Sequence, residues 1–352
     1  MLIYLFMFLL VGLFPIISIK YKIKNDIYIY VFYSILLVLF AGLRGDNVDR
    51  DYLNYVNSYA YIEYFTLANQ EPLYFLIVYF VRFFFDNVIF LFLIYALLSV
   101  ILKIIVIKKY AEDYAPFVLL LYFSSFFPLH EMTQIRAAVA IGVMLFSIQF
   151  IVGRKPVKYF MSVLVAIMFH YSALLMIPLY FINTNKTNKK RMLIMLLFSL
   201  LIPFASLNVV KYIINLNLGF YANNFTRYIY DMNNGLLEVN VYNYLSIFYL
   251  LFAVYLILNI EKIKIINIYS LFFVKLYVYS IVAYFALSGL GVGNRISEFY
   301  GVSIIFVIPY FMMQFKSNYM LKILFVLIAL FYLYLNIVNN SLLNEYKTIF
   351  HG

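Results

Sequence analysis

Long apolar runs separated by short polar breaks dominate the chain, at residues 2–18, 27–43, 88–107, 114–129, 135–152, 192–207, 244–260, 268–288, 297–315 and 320–338. A helix needs about 20 apolar residues to cross a hydrocarbon core of about 30 Å, so each run predicts a membrane span. The first lacks the basic leader and small-residue cleavage site of a signal peptide, and a second run follows almost at once.

Two further apolar segments need a decision. Residues 71–85 are short, carry Arg82 and are separated from the next run only by Asp86 and Asn87. A full crossing there would turn Lys108 and Lys109 outward, against the positive-inside rule, so the segment reads as re-entrant or interfacial. Residues 157–182, taken as one helix, would set Lys186, Lys189, Lys190 and Arg191 opposite the other basic loops. They read instead as two short helices meeting near His170, with a break at membrane depth. These choices bring Lys20, Lys22 and Lys24; Lys103, Lys108 and Lys109; Arg154, Lys155 and Lys158; residues 186–191; Lys262 and Lys264; and Lys316 and Lys322 to the cytoplasmic side. The expectation is an all-α, polytopic integral membrane protein of about 12 helices, some short or re-entrant, with its N-terminus outside. Residues 1–352 form a single membrane domain, with extracytoplasmic loops at about 44–87 and 208–243.

Composition agrees with the pattern. Of 352 residues, 66% are hydrophobic and 12% charged, which leaves too few polar groups to cover a water-facing surface. A soluble enzyme, a disordered chain and a nucleic-acid binder are excluded. The chain has no Cys, and with it go disulfides, thiol catalysis and thiolate metal sites.

The net charge of +11 changes meaning once it is sorted by side. Seventeen of the 26 basic residues lie on the cytoplasmic side, where they orient helices; only Arg154 and Arg191 among them are arginine. The remainder hold six of the eight arginines: Arg44, Arg50, Arg82, Arg136, Arg227 and Arg295. Lysine and arginine orient helices equally well, but only a planar guanidinium grips phosphate or carboxylate with two parallel bonds. The outer face therefore reads as an anion-recognition surface.

Four stretches carry the candidate chemistry. Residues 44–52, Arg44-Gly45-Asp46-Asn47-Val48-Asp49-Arg50-Asp51-Tyr52, pack ions directly after an apolar run, and Tyr55, Tyr59, Tyr61 and Tyr64 follow. Tyrosine offers flat faces for sugar rings along with a hydroxyl. Asp46, Asp49 and Asp51 do not continue into the glycine and distant glutamate of a calcium loop. In Leu129-His130-Glu131-Met132-Thr133-Gln134-Ile135-Arg136, the arginine opens a helix and needs a partner at that depth; Glu131 is the structural choice, and His130 is expected to be solvated. Phe169-His170-Tyr171-Ser172-Ala173 puts an ionisable ring at the expected helix break. Gly289-Leu290-Gly291-Val292-Gly293-Asn294-Arg295-Ile296-Ser297-Glu298 allows close backbone approach, and Arg295 and Glu298 stand one helical turn apart. There is no H-E-x-x-H, P-loop, G-x-S-x-G elbow or internal repeat, so ATP-driven transport has no support.

In order, Leu43-Arg44-Gly45 with its acidic loop, Glu71-Pro72-Leu73-Tyr74, Gln134-Ile135-Arg136-Ala137, Phe169-His170-Tyr171-Ser172-Ala173 and Arg295-Ile296-Ser297-Glu298-Phe299-Tyr300 resemble the EpsG-like, Wzy-type polysaccharide polymerase family. The chain departs from that pattern at Ala137, where the family tends to carry glutamine. The resemblance implies a bacterial cytoplasmic-membrane glycosyltransferase that joins undecaprenyl-diphosphate-linked oligosaccharide units on the outer face, for surface or exopolysaccharide. Its partners would be that substrate, the lipid bilayer and other polysaccharide-assembly proteins; no cofactor, metal or nucleic acid is implied. Carried onto this chain, Arg44, Arg136 and Arg295 would hold the diphosphate. His170, Asp51 and Glu71 are the candidates for base or acceptor binding, His170 first because a histidine can be neutral near pH 7 and accept a proton. Tyr52, Tyr55 and Glu298 would hold glycan. An O-antigen-type ligase would use the same arginines, whereas a flippase or secondary transporter should carry functional ions on both faces.

Overall fold

The computed structural model describes residues 1–21, 27–66, 70–203, 241–287, 291–315 and 319–351. Among the described residues the chain is helical and has no strand; the only extended pairings are isolated bridges between Arg44 and Thr348 and between Asp49 and Leu343. The helices are α1 Leu2–Tyr21, α2 Ile27–Gly42, α3 Tyr52–Ala60, α4 Pro72–Phe84, α5 Val88–Ala111, α6 Ala115–Ser125, α7 Phe127–His130, α8 Ile135–Val152 and α9 Pro156–Phe169. A 3₁₀ helix, Tyr171–Phe181, follows. Then come α10 Lys189–Leu201, α11 Tyr244–Leu258, α12 Ile260–Lys264, α13 Ser270–Ala286, α14 Gly291–Gly301, α15 Ile304–Met312 and α16 Tyr319–Tyr334. They form two compact units, Met1–Phe181 with Phe315–Gly352, and Ile182–Gln314.

Three described helical runs are long and apolar enough to cross a membrane: Val88–Ser125, Ile135–Val152 and Met320–Asn339. The pair Asn294–Gly301 and Ile304–Met312, bent by 46°, would make a fourth. This is fewer than the twelve spans expected, because seven other apolar helices have only 10–17 residues. The 38-residue run from Val88 holds two helices. Glu112 takes a φ of 48° and reverses the chain, so α6 returns along α5 and brings the Tyr122 ring to 5.5 Å from Lys103 Nζ.

Within the first unit, side-chain contacts fix the direction of each helix. α2 and α5 are antiparallel: Gly42 lies against Leu93, and Lys108 Nζ lies 5.2 Å from the Tyr30 ring. α5 and α8 run parallel, with Gly142 beside Leu102 and the Tyr110 hydroxyl donating to Leu145 O at 3.1 Å. A Cβ at Gly142 would sit 3.1 Å from Leu102 Cβ, so glycine is what lets these two helices close. α16 runs with α6, from the Phe117–Phe325 contact at 5.4 Å to Asn336, whose Nδ2 donates to Ser124 O and Ser125 O. One end of the unit therefore gathers Tyr4, the 43–51 loop, the start of α5, the 126–136 turn and the C-terminal segment. Lys108, Lys109, Arg154 and Lys155 lie at the other.

Both ambiguous segments have local causes. Pro72 at the first turn of α4 has no N–H to lose, and the extended Glu71 before it sets the entry. α4 is amphipathic, burying Tyr74, Ile77, Val78 and Val81, and it crosses only the first turns of α5: Tyr74 meets Tyr95 at 6.3 Å and Phe85 stacks on Phe90 at 4.1 Å. α9 begins at Pro156 and ends where His170 turns extended, at φ −160° and ψ 127°. The 3₁₀ helix then returns beside α9, with the Tyr159 hydroxyl donating to Met176 O at 2.5 Å and the Tyr159 and Tyr180 rings 5.4 Å apart. His170 is thus the apex of a hairpin whose two ends lie at the basic end of the unit.

Lys103 departs from its expected place. It sits two turns inside α5, wholly buried, and so does not belong to a basic loop. The 208–240 part of the expected second outer loop, with Arg227, lies outside the described residues.

The absence of native cysteine makes a topology test direct. Glu345→Cys should react with a membrane-impermeant maleimide on intact cells, and Lys109→Cys only after permeabilisation. Reaction of both on intact cells would overturn the orientation.

Candidate functional site

The structure brings three of the sequence candidates together. Glu71 at the head of α4, Arg136 in the first turn of α8 and His170 at the hairpin apex come from positions 65 and 99 residues apart along the chain. Glu71 Oε2 accepts from Arg136 Nη1 at 2.5 Å, and Glu71 Oε1 lies 2.6 Å from His170 Nδ1. Gln70 Oε1 accepts a second bond from Arg136 Nη1, and the Tyr171 hydroxyl donates to Gln70 O at 3.3 Å. The guanidinium carbon stands 5.7 Å from the Tyr55 ring and 5.3 Å from the Tyr74 ring, within range of cation–π attraction. The Tyr74 hydroxyl in turn bonds Ser58 of α3.

Exposure divides the labour. The Glu71 side chain is 4% exposed, that of His170 18% and that of Arg136 23%, so the carboxylate lies beneath and the imidazole and guanidinium are partly exposed. Burial alone would raise the Glu71 carboxyl; the His170 hydrogen bond and the Arg136 charge more than offset it and hold the group below its ordinary value. Glu71 is therefore an anion at neutral pH, and His170 Nδ1 must donate to it. That fixes the tautomer and leaves Nε2 as the basic nitrogen. Arg136 Nε is buried without a partner, a donor still to be satisfied. The charges at the centre can thus hold an anion and take up a proton side by side.

The other candidates lie elsewhere. Arg44 is completely buried, its Nε donating to Asp49 Oδ2 at 2.6 Å and its Nη1 to Ala41 O at 2.7 Å, with the Phe92 ring 4.4 Å away. Expected at the diphosphate, it is instead a framework charge. Arg50 donates to Asn340 O and Ser341 O, and Arg82 pairs with Glu63 and donates to Ala60 O at 2.9 Å. The outer arginines described in this unit are thus largely internal ties, since each finds carboxylate or carbonyl oxygens within reach. Tyr52 and Tyr55 are buried, packing 5.0 Å and 6.2 Å from Phe92, and offer no open face to a sugar; Tyr61 and Tyr64 of the same stretch are exposed. Asp51 sits at the start of α3, where its Oδ1 accepts from Asn54 Nδ2 at 3.3 Å. Arg295, which is exposed, and Glu298 belong to α14 of the other unit, and the glycine run is already helical from Gly291.

Glu131 is not the partner of Arg136. It pairs with Lys103, and His130, expected to be solvated, is wholly buried with its ring 5.2 Å from Phe126. Sequence reasoning missed Gln70, Tyr74 and Tyr171. Gln70 carries no motif of its own; its only signal is that it precedes Glu71. Among the described residues no cluster of three or more His, Cys, Asp or Glu is placed to hold a metal.

The EpsG family model matches residues 27–348, nearly the whole chain. No curated protein and no solved structure matches it.

The Arg44 assignment has a measurable consequence. Asp49→Asn leaves a buried guanidinium without its counter-charge, a change that typically costs about 3–5 kcal/mol. The melting temperature of the purified protein should fall well below that of Arg50→Ala, whose ties are exposed; equal melting would return Arg44 to the candidate ligands.

Proposed function

The chain belongs to the EpsG family, a Wzy-like polymerase family, and from that premise we propose that it joins lipid-diphosphate-linked oligosaccharide units into polysaccharide on the outer face of the bacterial cytoplasmic membrane. The observation that carries this reading is the single carboxylate of Glu71 shared between Arg136 and His170.

Glu71 orients the imidazole and stabilises its protonated form, as the carboxylate does in hydrolase triads. His170 Nε2 takes the proton of the acceptor sugar hydroxyl as that oxygen attacks the anomeric carbon of the donor. The bond from that carbon to the diphosphate oxygen breaks, and the lipid diphosphate leaves with the electron pair. Arg136, whose side chain is partly exposed, supplies the positive charge against which the leaving diphosphate develops its own. Arg44, enclosed with Asp49, has no part in this step. Aromatic stacking of the glycan falls to exposed rings of the 52–64 stretch, Tyr61 and Tyr64, in place of Tyr52 and Tyr55.

The outer-face assignment follows from the basic residues at the opposite end of the first unit. An undecaprenyl carrier and a twelve-span count belong to the same reading. The ion centre sits at the end of the unit away from the basic loops, which favours a transferase over a transporter.

Reconstitution into vesicles with a lipid-diphosphate-linked repeat unit should lengthen the glycan without added nucleotide and with EDTA present. His170→Ala should lower the rate by about 10²–10⁴-fold, the usual contribution of a positioned base. Arg136→Lys keeps a charge but loses the planar fork, and should also fall sharply. Full-length polymer from His170→Ala at normal membrane levels would remove the base from this mechanism.

A further inference from the structure

A second ionic cluster lies behind the first, and the mechanism above does not use it. Lys103 of α5 and Glu131 are both completely buried. Lys103 Nζ donates to Glu131 Oε1 and, at 3.1 Å, to Ser99 Oγ; Ser99 Oγ donates to the same carboxylate oxygen at 2.6 Å. The cluster is only partly satisfied. The Tyr122 hydroxyl turns to Glu131, but both ring nitrogens of His130 are buried without partners. A partly satisfied polar cluster is a poor way to stabilise an apolar core, since hydrophobic side chains of the same volume would do as well or better. Its value must lie in where it holds the backbone.

That place is specific. Glu131 lies in the turn that delivers α8, five residues before Arg136. The turn is internally tied: His130 N donates to Phe126 O at 2.7 Å, Gln134 N to Leu129 O at 2.8 Å, and Thr133 Oγ1 to Pro128 O at 3.1 Å. It therefore moves as one piece, and the Glu131 side chain is its ionic link to α5. On α5, Tyr95, Ser99 and Lys103 recur at intervals of four and share one face. Tyr95 packs 6.3 Å from Tyr74 and 6.2 Å from Phe169, which flank Glu71 and His170. α5 thus carries contacts to both sides of the site: to Glu71 and His170 through Tyr95, and to the Arg136 turn through Lys103.

We propose that Lys103 and Glu131 are positioning residues that set Arg136 in register with Glu71 and His170. The proposal rests on the polymerase reading above. Its signature follows from Glu71 being shared. If the turn slips and Arg136 draws away, the carboxylate acts on His170 with less of its charge neutralised and holds the imidazolium more firmly. The phenols of Tyr55, Tyr74, Tyr95 and Tyr171 are the other titratable groups around the site. The pH at which the rate falls on the acid side then moves upward, which mere loss of folded protein cannot produce.

The test measures polymerisation against pH in vesicles for the wild type, Lys103→Met, Glu131→Gln and the double variant Lys103→Met with Glu131→Met. The double variant leaves neither charge unpaired and so is the one that folds if the single variants do not. We expect it to keep its KM for the lipid-linked donor within a few-fold, lose about a hundredfold in kcat, as small misplacements of catalytic groups do, and show the raised acid limb. Wild-type kcat with an unmoved limb in the double variant would overturn the positioning role. No chain growth by the wild type itself would instead overturn the polymerase reading on which this rests.

Discussion

A carboxylate with two oxygens can serve two partners, and the first unit is organised around one that does. Glu71 gives one oxygen to Arg136 and the other to His170. In water such a triad would be worth little; at 4% exposure each member depends on the others, because an unpaired charge in an apolar surround is costly. The bend of the 156–181 hairpin at His170, the head of α4 and the start of α8 all converge on that carboxylate.

The same constraint accounts for the other buried charges. Arg44 and Asp49 form a pair sealed from water, and the C-terminal segment closes over it: Gly45 N donates to Lys347 O at 2.8 Å, Asn344 N to Val48 O at 2.9 Å, and the Tyr4 hydroxyl to Asn344 O at 2.8 Å. A Cβ on Gly45 would lie 3.1 Å from Thr348 O, so the strap needs glycine there to lie flat. Lys103 and Glu131 tie α5 to the turn before α8. The first pair fixes the loop on which the C-terminal segment lies, and the second ties two elements 28 residues apart. Dispersion and burial bring the helices together; the ion pairs choose their register.

Membership of a polymerase family gives this arrangement a chemical sense. A transfer from a lipid diphosphate asks for a base, a means of orienting it and a cation for the leaving group. On the proposed reading His170, Glu71 and Arg136 fill these roles from one hydrogen-bonded cluster, with the carboxylate below and the imidazole and guanidinium more exposed. No nucleotide is needed for such a transfer, since the diphosphate bond to the sugar already stores the driving force.

The sequence alone determined that the chain is helical and apolar, because hydrophobic run length reports the solvent an element must face. It also marked 71–85 as a short, separate segment, broke 157–182 near His170 and showed which family the motifs resemble. These follow from local properties: run length, proline position and the side on which lysines gather. It placed Glu71, Arg136 and His170 among the candidates but did not join them, and it misassigned Lys103, Glu131, His130, Tyr52 and Tyr55. Only the tertiary structure decided which charges meet. Pairing in a low-dielectric interior is set by distance in space, and the partners that Glu71 and Glu131 find stand 28 to 99 residues away along the chain.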